Sequence, residues 1–282
     1  MDKLKIFICC HKPYKGFRND IYIPIHVGRS VSSCKELMQD MIGDDTGDNI
    51  SDKNPYYSEA TGIYWIWKNV HDCEYVGLHH YRRFFADRFT CDNIDSYFAD
   101  GTDVLMCRPV PCNGTTRWFF SMSYMNCEDM LILKSVIKGF CPEYLPSFDS
   151  MMNKCSFVPY NIVICRKELY DEYAGWMFDI LIKMEKIVKY SPYPNSKRVF
   201  AYISEILTPL YFYHNNKKIK YLSFIKDDKL VSWTLKSKLF TCFLGKVMSL
   251  YYKRRKVWID PSIVYGLERA GINIKEIEKG NL

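Results

Sequence analysis

The short apolar run Tyr75-Val76-Gly77-Leu78 stops abruptly at His79-His80-Tyr81-Arg82-Arg83. A run of this length bounded by polar residues reads as a buried strand, here of an α/β sheet. Open sheets of that class bind ligands at the carboxyl ends of their strands, so the two histidines, Tyr81 and the two arginines are candidate binding residues. Two adjacent guanidinium forks suit an anion, above all a phosphate or diphosphate, because each planar fork donates paired hydrogen bonds. The alternative is an arginine pair tied to surface carboxylates beside the sheet.

The rest of the chain alternates in a similar way. Apolar runs over residues 5–10, 21–27, 103–106 and 160–165 predict further strands, the first ending in His11 and Lys12. Pro24 assigns the second run to an edge or an extended segment, since proline has no N–H for a sheet ladder. Residues 58–70, 128–140 and 167–190 carry apolar positions at helical spacing, with Ser58 and Glu59 at a helix start. Strands alternating with helices indicate an α/β domain. A long polar loop, residues 44–55, precedes the tryptophan-bearing helix and the strand that ends in the basic cluster.

That order carries a specific resemblance. Asp45-Thr46-Gly47-Asp48-Asn49-Ile50-Ser51, then Tyr64-Trp65-Ile66-Trp67-Lys68-Asn69, then Gly77-Leu78-His79-His80-Tyr81-Arg82-Arg83-Phe84 resembles the bacterial DUF4422 family, from residue 5 to about residue 214. The family occurs in capsule and O-antigen gene clusters. It is regarded as a group of glycosyltransferases with a GT-A-like fold, some of them similar to galactofuranosyltransferases. The resemblance implies one Rossmann-type domain with a mixed, mainly parallel sheet over residues 1–215, and a basic, mainly helical appendage over residues 216–282. It also implies a nucleotide-sugar donor, UDP-linked, carrying galactofuranose or another hexose, and a lipid-linked oligosaccharide acceptor. The substrate-binding positions it points to are His11, Lys12, Asp45, Asn49, His79, His80 and Tyr81.

Two later segments add to it. Asn161, at the start of an apolar run, resembles the asparagine that faces the donor sugar in several sugar-nucleotide enzymes, although Val163 stands where small residues are usual. A strand-end cap is the plainer reading of the same residue. Residues 196–207 resemble a helix near the end of the family domain, with Arg198 and Glu205 seven apart and therefore on one helical face. Flanked by Ile203 and Ile206, a carboxylate at 205 would be partly desolvated, which suits a general base. Ile206 stands where the family usually has a basic residue, and a structural contact between Arg198 and Glu205 is the competing reading.

Composition narrows the class. Hydrophobic residues make up 48% and charged residues 25% of 282, which is globular rather than disordered. The 12 cysteines are scattered, no Cys-x-x-Cys pair occurs, and the first five residues lack the apolar core of a signal peptide. Reduced thiols in a cytoplasmic protein are expected. Residues 217–256 hold 12 Lys or Arg against Asp227 and Asp228, a local net of +10, while the whole chain is only +7. The mildly acidic remainder argues against a nucleic-acid partner. Within that basic stretch, Leu239, Phe240, Phe243, Leu244, Val247, Met248 and Tyr251 fall near one helical face, with Lys253-Arg254-Arg255-Lys256 after it. Such a helix is expected to lie in an anionic membrane surface, with the protein peripheral on the inner face of the cytoplasmic membrane; the alternative is a C-terminal helix packed on the core with a solvated basic face.

The expected chemistry is glycosyl transfer by inversion, with Arg82 or Arg83 on the leaving diphosphate and Glu205 as base. No carboxylate pair follows the strand, so no metal or other cofactor is expected. The competing expectation is a divalent Mn or Mg ion held by the loop aspartates or the histidines. Adjacent residues on a strand point to opposite faces, so His79 and His80 should not chelate together. Beside this reading stand a metal-dependent retaining glycosyltransferase and a non-catalytic scaffold of a polysaccharide assembly complex.

Overall fold

The apolar runs become neighbours in one mixed sheet. The computed structural model describes residues 1–112, 114–231, 239, 243, 247, 250 and 261–282, with residue 195 described by its backbone alone. Among them, ten strands make the sheet: β1 (Asp2–Cys10), β2 (Tyr22–His26), β3 (Ile42–Gly43), β4 (Cys73–His80), β5 (Arg83–Phe85), β6 (Val104–Cys107), β7 (Val163–Arg166), β8 (Ile219–Leu222), β9 (Phe224–Lys226) and β10 (Lys229–Val231). The main path runs β8-β6-β7-β4-β1-β2-β3. Along it β7 is antiparallel to β4 and β6, and the other neighbours are parallel. β5, β9 and β10 extend β4 as an antiparallel meander.

Residues at the centre of the path are apolar on both faces, as a sheet covered on both sides requires. Ile6 to Cys10, Val104 to Cys107 and Val163 to Cys165 are all buried. Gly77 interrupts β4 because a Cβ there would stand 2.6 Å from Ile164 Cγ1. Pro24 is tolerated because β3 pairs only with Ile25 and His26, leaving the outer side of Pro24 open, an edge position in effect.

The chain divides into two compact units. The first comprises Met1–Arg108, Val158–Phe178 and Leu207–Ser232; the second comprises Pro109–Phe157, Asp179–Ile206 and Trp233–Leu282. The sheet belongs to the first. Residues 216–231, expected to open a mainly helical tail, instead supply β8, β9 and β10, and β8 lies parallel to β6. The division does not fall at residue 215, because the chain returns to the sheet after that point. The reason is register: Ile219 to Leu222 finds an open edge at Val104 to Cys107.

In the second unit, helix Cys127–Phe140 starts in a capping box formed by Asn126 and Asp129. Arg117, buried, bonds Asp149 at 2.6 Å, and Lys134 bonds the same carboxylate at 2.9 Å. Helices Pro261–Arg269 and Ile274–Glu278 pack on Cys127–Phe140. Gly139 permits the approach, since a Cβ there would lie 2.0 Å from the carbonyl oxygen of Ile277. Most of the expected amphipathic helix, residues 235–256 of the basic stretch, lies outside the described residues. Within it, Leu239, Phe243, Val247 and Leu250 are helical and exposed. Among the described residues no helix is long and apolar enough to cross a membrane, and the described cysteines are all unbridged.

Candidate functional site

From β1 the sheet grows to β2 and β3 on one side and to β4 on the other. The crevice outside the carboxyl ends of β1 and β4 is therefore the topological switch point, where open α/β sheets bind ligands. His11 and Lys12 follow β1 there. Tyr81 and Arg82 form the two-residue turn between β4 and β5, with His80 opposite Arg83. The turn is held against β1 by the Tyr81 N–H, which donates to the Cys9 carbonyl at 3.2 Å. The His11 ring meets Tyr81 edge-on at 5.0 Å.

A cleft of about 560 Å³ opens at this point, within the first unit. Its apolar lining is mainly aromatic, with Tyr14, Phe17, Tyr22, Phe84 and Phe85 beside Ile8, Pro13 and Ala86. Lys15, Arg82, Asp87, Arg88 and Asp228 supply its charges. The loop after β1 is folded by its own Tyr14 hydroxyl, which donates to the Phe17 carbonyl at 3.2 Å. Phe17 is packed edge-on to Tyr22 at 5.5 Å and carries the Arg88 guanidinium 4.0 Å above its ring.

His79 and His80 both line the cleft but lie on opposite faces of β4. His79 is buried among Tyr22, Phe84 and Phe85, with ring centroids 5.4 to 6.4 Å away, and its Nε2 has no hydrogen-bond partner. Burial in that aromatic setting, and to a smaller degree the neighbouring His80, holds its pKa down at about 3. It is a neutral imidazole at any ordinary pH, able to exchange a hydrogen bond with an uncharged ligand group. The His80 ring is directed towards Tyr160, 5.8 Å away.

Arg82 and Arg83 do not form a single paired fork. Arg82, more than half exposed, stacks 4.9 Å from the Tyr81 ring in the cleft lining. Arg83 turns to Tyr160, its guanidinium 4.4 Å from that ring and its Nε buried without a hydrogen-bond partner. Hairpin geometry is the cause: Arg82 is a turn residue, whereas Arg83 is the first residue of β5. Tyr160 itself has φ of 64°, uncommon for a bulky side chain. The next residue, Asn161, is fully buried, donating to Glu59 at 3.3 Å and accepting from the Thr208 hydroxyl at 3.0 Å.

The polar loop and the tryptophan helix bond to one another. Asp44 is buried and accepts from the backbone N–H groups of Gly28 and Arg29 and from the hydroxyls of Ser51 and Thr61. Trp65 Nε1 donates to the Thr46 carbonyl at 3.1 Å, and Asn69 exchanges two bonds with the Asp48 backbone. Asp45 pairs with Lys35 at 3.2 Å and with Arg29 at 3.9 Å, and Asn49 bonds within its own turn. Neither Asp45 nor Asn49 lines the cleft. Among the described residues no group of three His, Cys, Asp or Glu side chains is placed to hold a metal ion.

Arg198 and Glu205 belong to the second unit. Arg198 precedes helix Val199–His214 rather than sharing its face; its carbonyl accepts from Ala201 and Tyr202, and its guanidinium lies 5.7 Å from the Tyr202 ring. Glu205 is half-buried on that helix between buried Ser204 and Ile206. The structure thus gathers His79, His80, Tyr81 and Arg82 in one cleft with His11 beside them. The sequence reading missed Tyr14, Phe17, Tyr22, Arg88 and Asp228. The aromatic residues in the loop that follows the first strand were a visible signal for the first two.

Comparison with known proteins bears on the family and the fold. The family model for a domain of unknown function, DUF4422, matches residues 5–217. Among solved structures, the apo structure of the WbbM bifunctional glycosyltransferase is similar, with 26% identity and a TM-score of 0.71, covering 82% of this chain and 46% of that one. The chain therefore spans just under half the length of that protein. A comparison with curated proteins finds no match. The mixed, mainly parallel sheet with its helices is an α/β fold similar to a GT-A glycosyltransferase. Since the family match runs through the loop, helix and strand-end motifs and covers most of the sequence, the chain belongs to the DUF4422 family.

Proposed function

We propose that the chain is a glycosyltransferase that moves a hexose, galactofuranose included, from a UDP-linked or similar nucleoside-diphosphate sugar to a lipid-linked glycan of a capsule or O-antigen. The observation that carries this reading is the cleft at the switch point, with an arginine at its rim, aromatic walls and a neutral histidine in its lining. The likeness to a bifunctional glycosyltransferase supports it. Arg82 takes the departing diphosphate. One charge-assisted hydrogen bond contributes roughly 1.5–3 kcal/mol, enough to matter to a leaving group that gains charge in the transition state. The aromatic walls pack against sugar or base, and His79 hydrogen-bonds to an uncharged group of the donor.

The transfer inverts the anomeric centre and needs no metal. In support, Asp44 is already occupied by four protein donors, and the two histidines face apart. Glu205 is the base by its place in the family helix, and Arg83, His11, Lys12, Asp45, Asn49, Asn161 and Arg198 keep supporting roles on the same ground. The protein works at the cytoplasmic face of the membrane. Leu239, Phe243, Val247 and Leu250 recur on one helical face and are exposed, and the basic residues around them each add about 1 kcal/mol near anionic lipid.

Incubation with a panel of nucleotide sugars, following release of the nucleoside diphosphate, tests the reading. Release from one donor, stimulated by an acceptor lipid, is expected. Tight nucleotide binding with no release from any donor favours the scaffold reading instead.

A further inference from the structure

The family match stops at residue 217, but the turn of a hairpin beyond it adds Asp228 to the cleft lining. β9 pairs antiparallel with β5, Phe224 opposite Phe85, Ile225 opposite Phe84 and Lys226 opposite Arg83. Phe224 is buried, which anchors the hairpin. Its tip is Asp227-Asp228, with φ of 49° and 64°. Two successive left-handed residues between paired strands make the type I′ turn that matches strand twist, and aspartate tolerates that conformation better than most side chains. The tip therefore carries two carboxylates on a defined backbone turn.

This tip meets the tip of the β4–β5 hairpin. The Asp227 N–H donates to the Arg82 carbonyl at 3.0 Å, the Asp227 Oδ1 lies 3.6 Å from the Arg82 Nε, and Asp228 lines the cleft. Both partners of the Arg82–Asp227 pair are about half exposed, so the pair adds little to stability and is readily exchanged. A guanidinium fork accepts carboxylate and phosphate in the same geometry.

We propose that Asp227 is a positioning residue that holds Arg82 when no ligand is bound and is exchanged for a phosphate of the nucleoside diphosphate, its charge then weakening the hold on that product. The proposal rests on the assignment of the cleft to a nucleoside diphosphate. The backbone tie at Asp227 keeps the turn in place throughout the exchange. Lys226 and Lys229, which flank the turn in sequence, keep the surroundings cationic, so an anion still approaches. Removing the carboxylate should tighten product binding and slow its departure, a step that often limits turnover.

Calorimetric titration of wild type, Asp227→Asn, Arg82→Ala and the double variant with UDP, GDP and inorganic pyrophosphate tests this. Asp227→Asn should bind the diphosphates up to about fivefold more tightly, the ceiling set by an exposed ion pair. That gain should vanish in the Arg82→Ala background, while melting temperatures stay together. No binding by wild type, or no loss on Arg82→Ala, overturns the assignment of the cleft and this proposal with it. Binding that weakens with Arg82→Ala but does not tighten with Asp227→Asn overturns the proposal alone. A gain that survives in the double variant also overturns it, since the carboxylate would then act as a distant charge.

Discussion

His79 and His80 are adjacent in sequence and face opposite sides of β4, the first against Tyr22, Phe84 and Phe85 and the second towards Tyr160. Two imidazoles so divided cannot share a metal ion, and Asp44 is saturated by protein donors. Glycosyl transfer should therefore survive EDTA with most of its rate. Activity abolished by the chelator and restored by Mn²⁺ or Mg²⁺ would put ligands somewhere this account does not.

The buried His79 gives the fold a specific pH dependence. Its pKa is about 3 in the folded chain against an ordinary value of 6.5, so between these pH values the unfolded chain takes up a proton that the folded chain refuses. Stability is then lost as pH falls below 6.5, at about 1.4 kcal/mol per unit from this group. Unfolding midpoints measured from pH 7 to pH 5 should fall more steeply for wild type than for His79→Phe. Parallel pH profiles would mean that His79 accepts a proton in the fold.

Trp65 ties the polar loop to its helix through the Thr46 carbonyl. Trp65→Phe keeps an aromatic ring but loses the N–H and part of the buried ring system, and should cost at least about 1 kcal/mol in urea unfolding. A larger loss accompanied by weaker nucleotide binding would show that the loop supports the cleft directly.

Glu205→Gln keeps shape and hydrogen bonding but cannot take a proton from an acceptor hydroxyl. kcat should fall strongly while donor KM and melting temperature stay near wild type. Equal losses in donor binding and stability would make Glu205 a structural residue of its helix.

Much of this was legible in the sequence because its signals were local. The Tyr75–Leu78 run, its abrupt polar end and the tryptophan helix each rest on contiguous residues, and the loop and helix motifs are bonded to one another in space. What was hidden depends on approach over long separations. Asn161 is buried by Glu59, 102 residues away, and by Thr208. The pairing of Phe224 with Phe85 joins strands of three residues each, too short and too charged to announce themselves. Asp227 and Asp228 were visible as two acids in an otherwise basic stretch, but only the hairpin shows that Asp227 reaches Arg82 and Asp228 the cleft. Arg82 and Arg83 looked equivalent as neighbours, and the turn between β4 and β5 separates them.

That separation supplies the most direct test of the central claim, that Arg82 in the cleft stabilises the departing diphosphate. Steady-state turnover of the nucleotide-sugar donor should be measured for Arg82→Ala and Arg82→Lys beside wild type. kcat/KM should fall by about 10²–10³ for alanine, by analogy with loss of one preorganised donor, and lysine should rescue it poorly, since its point charge does not replace the fork. Wild-type kinetics in Arg82→Ala would contradict that claim.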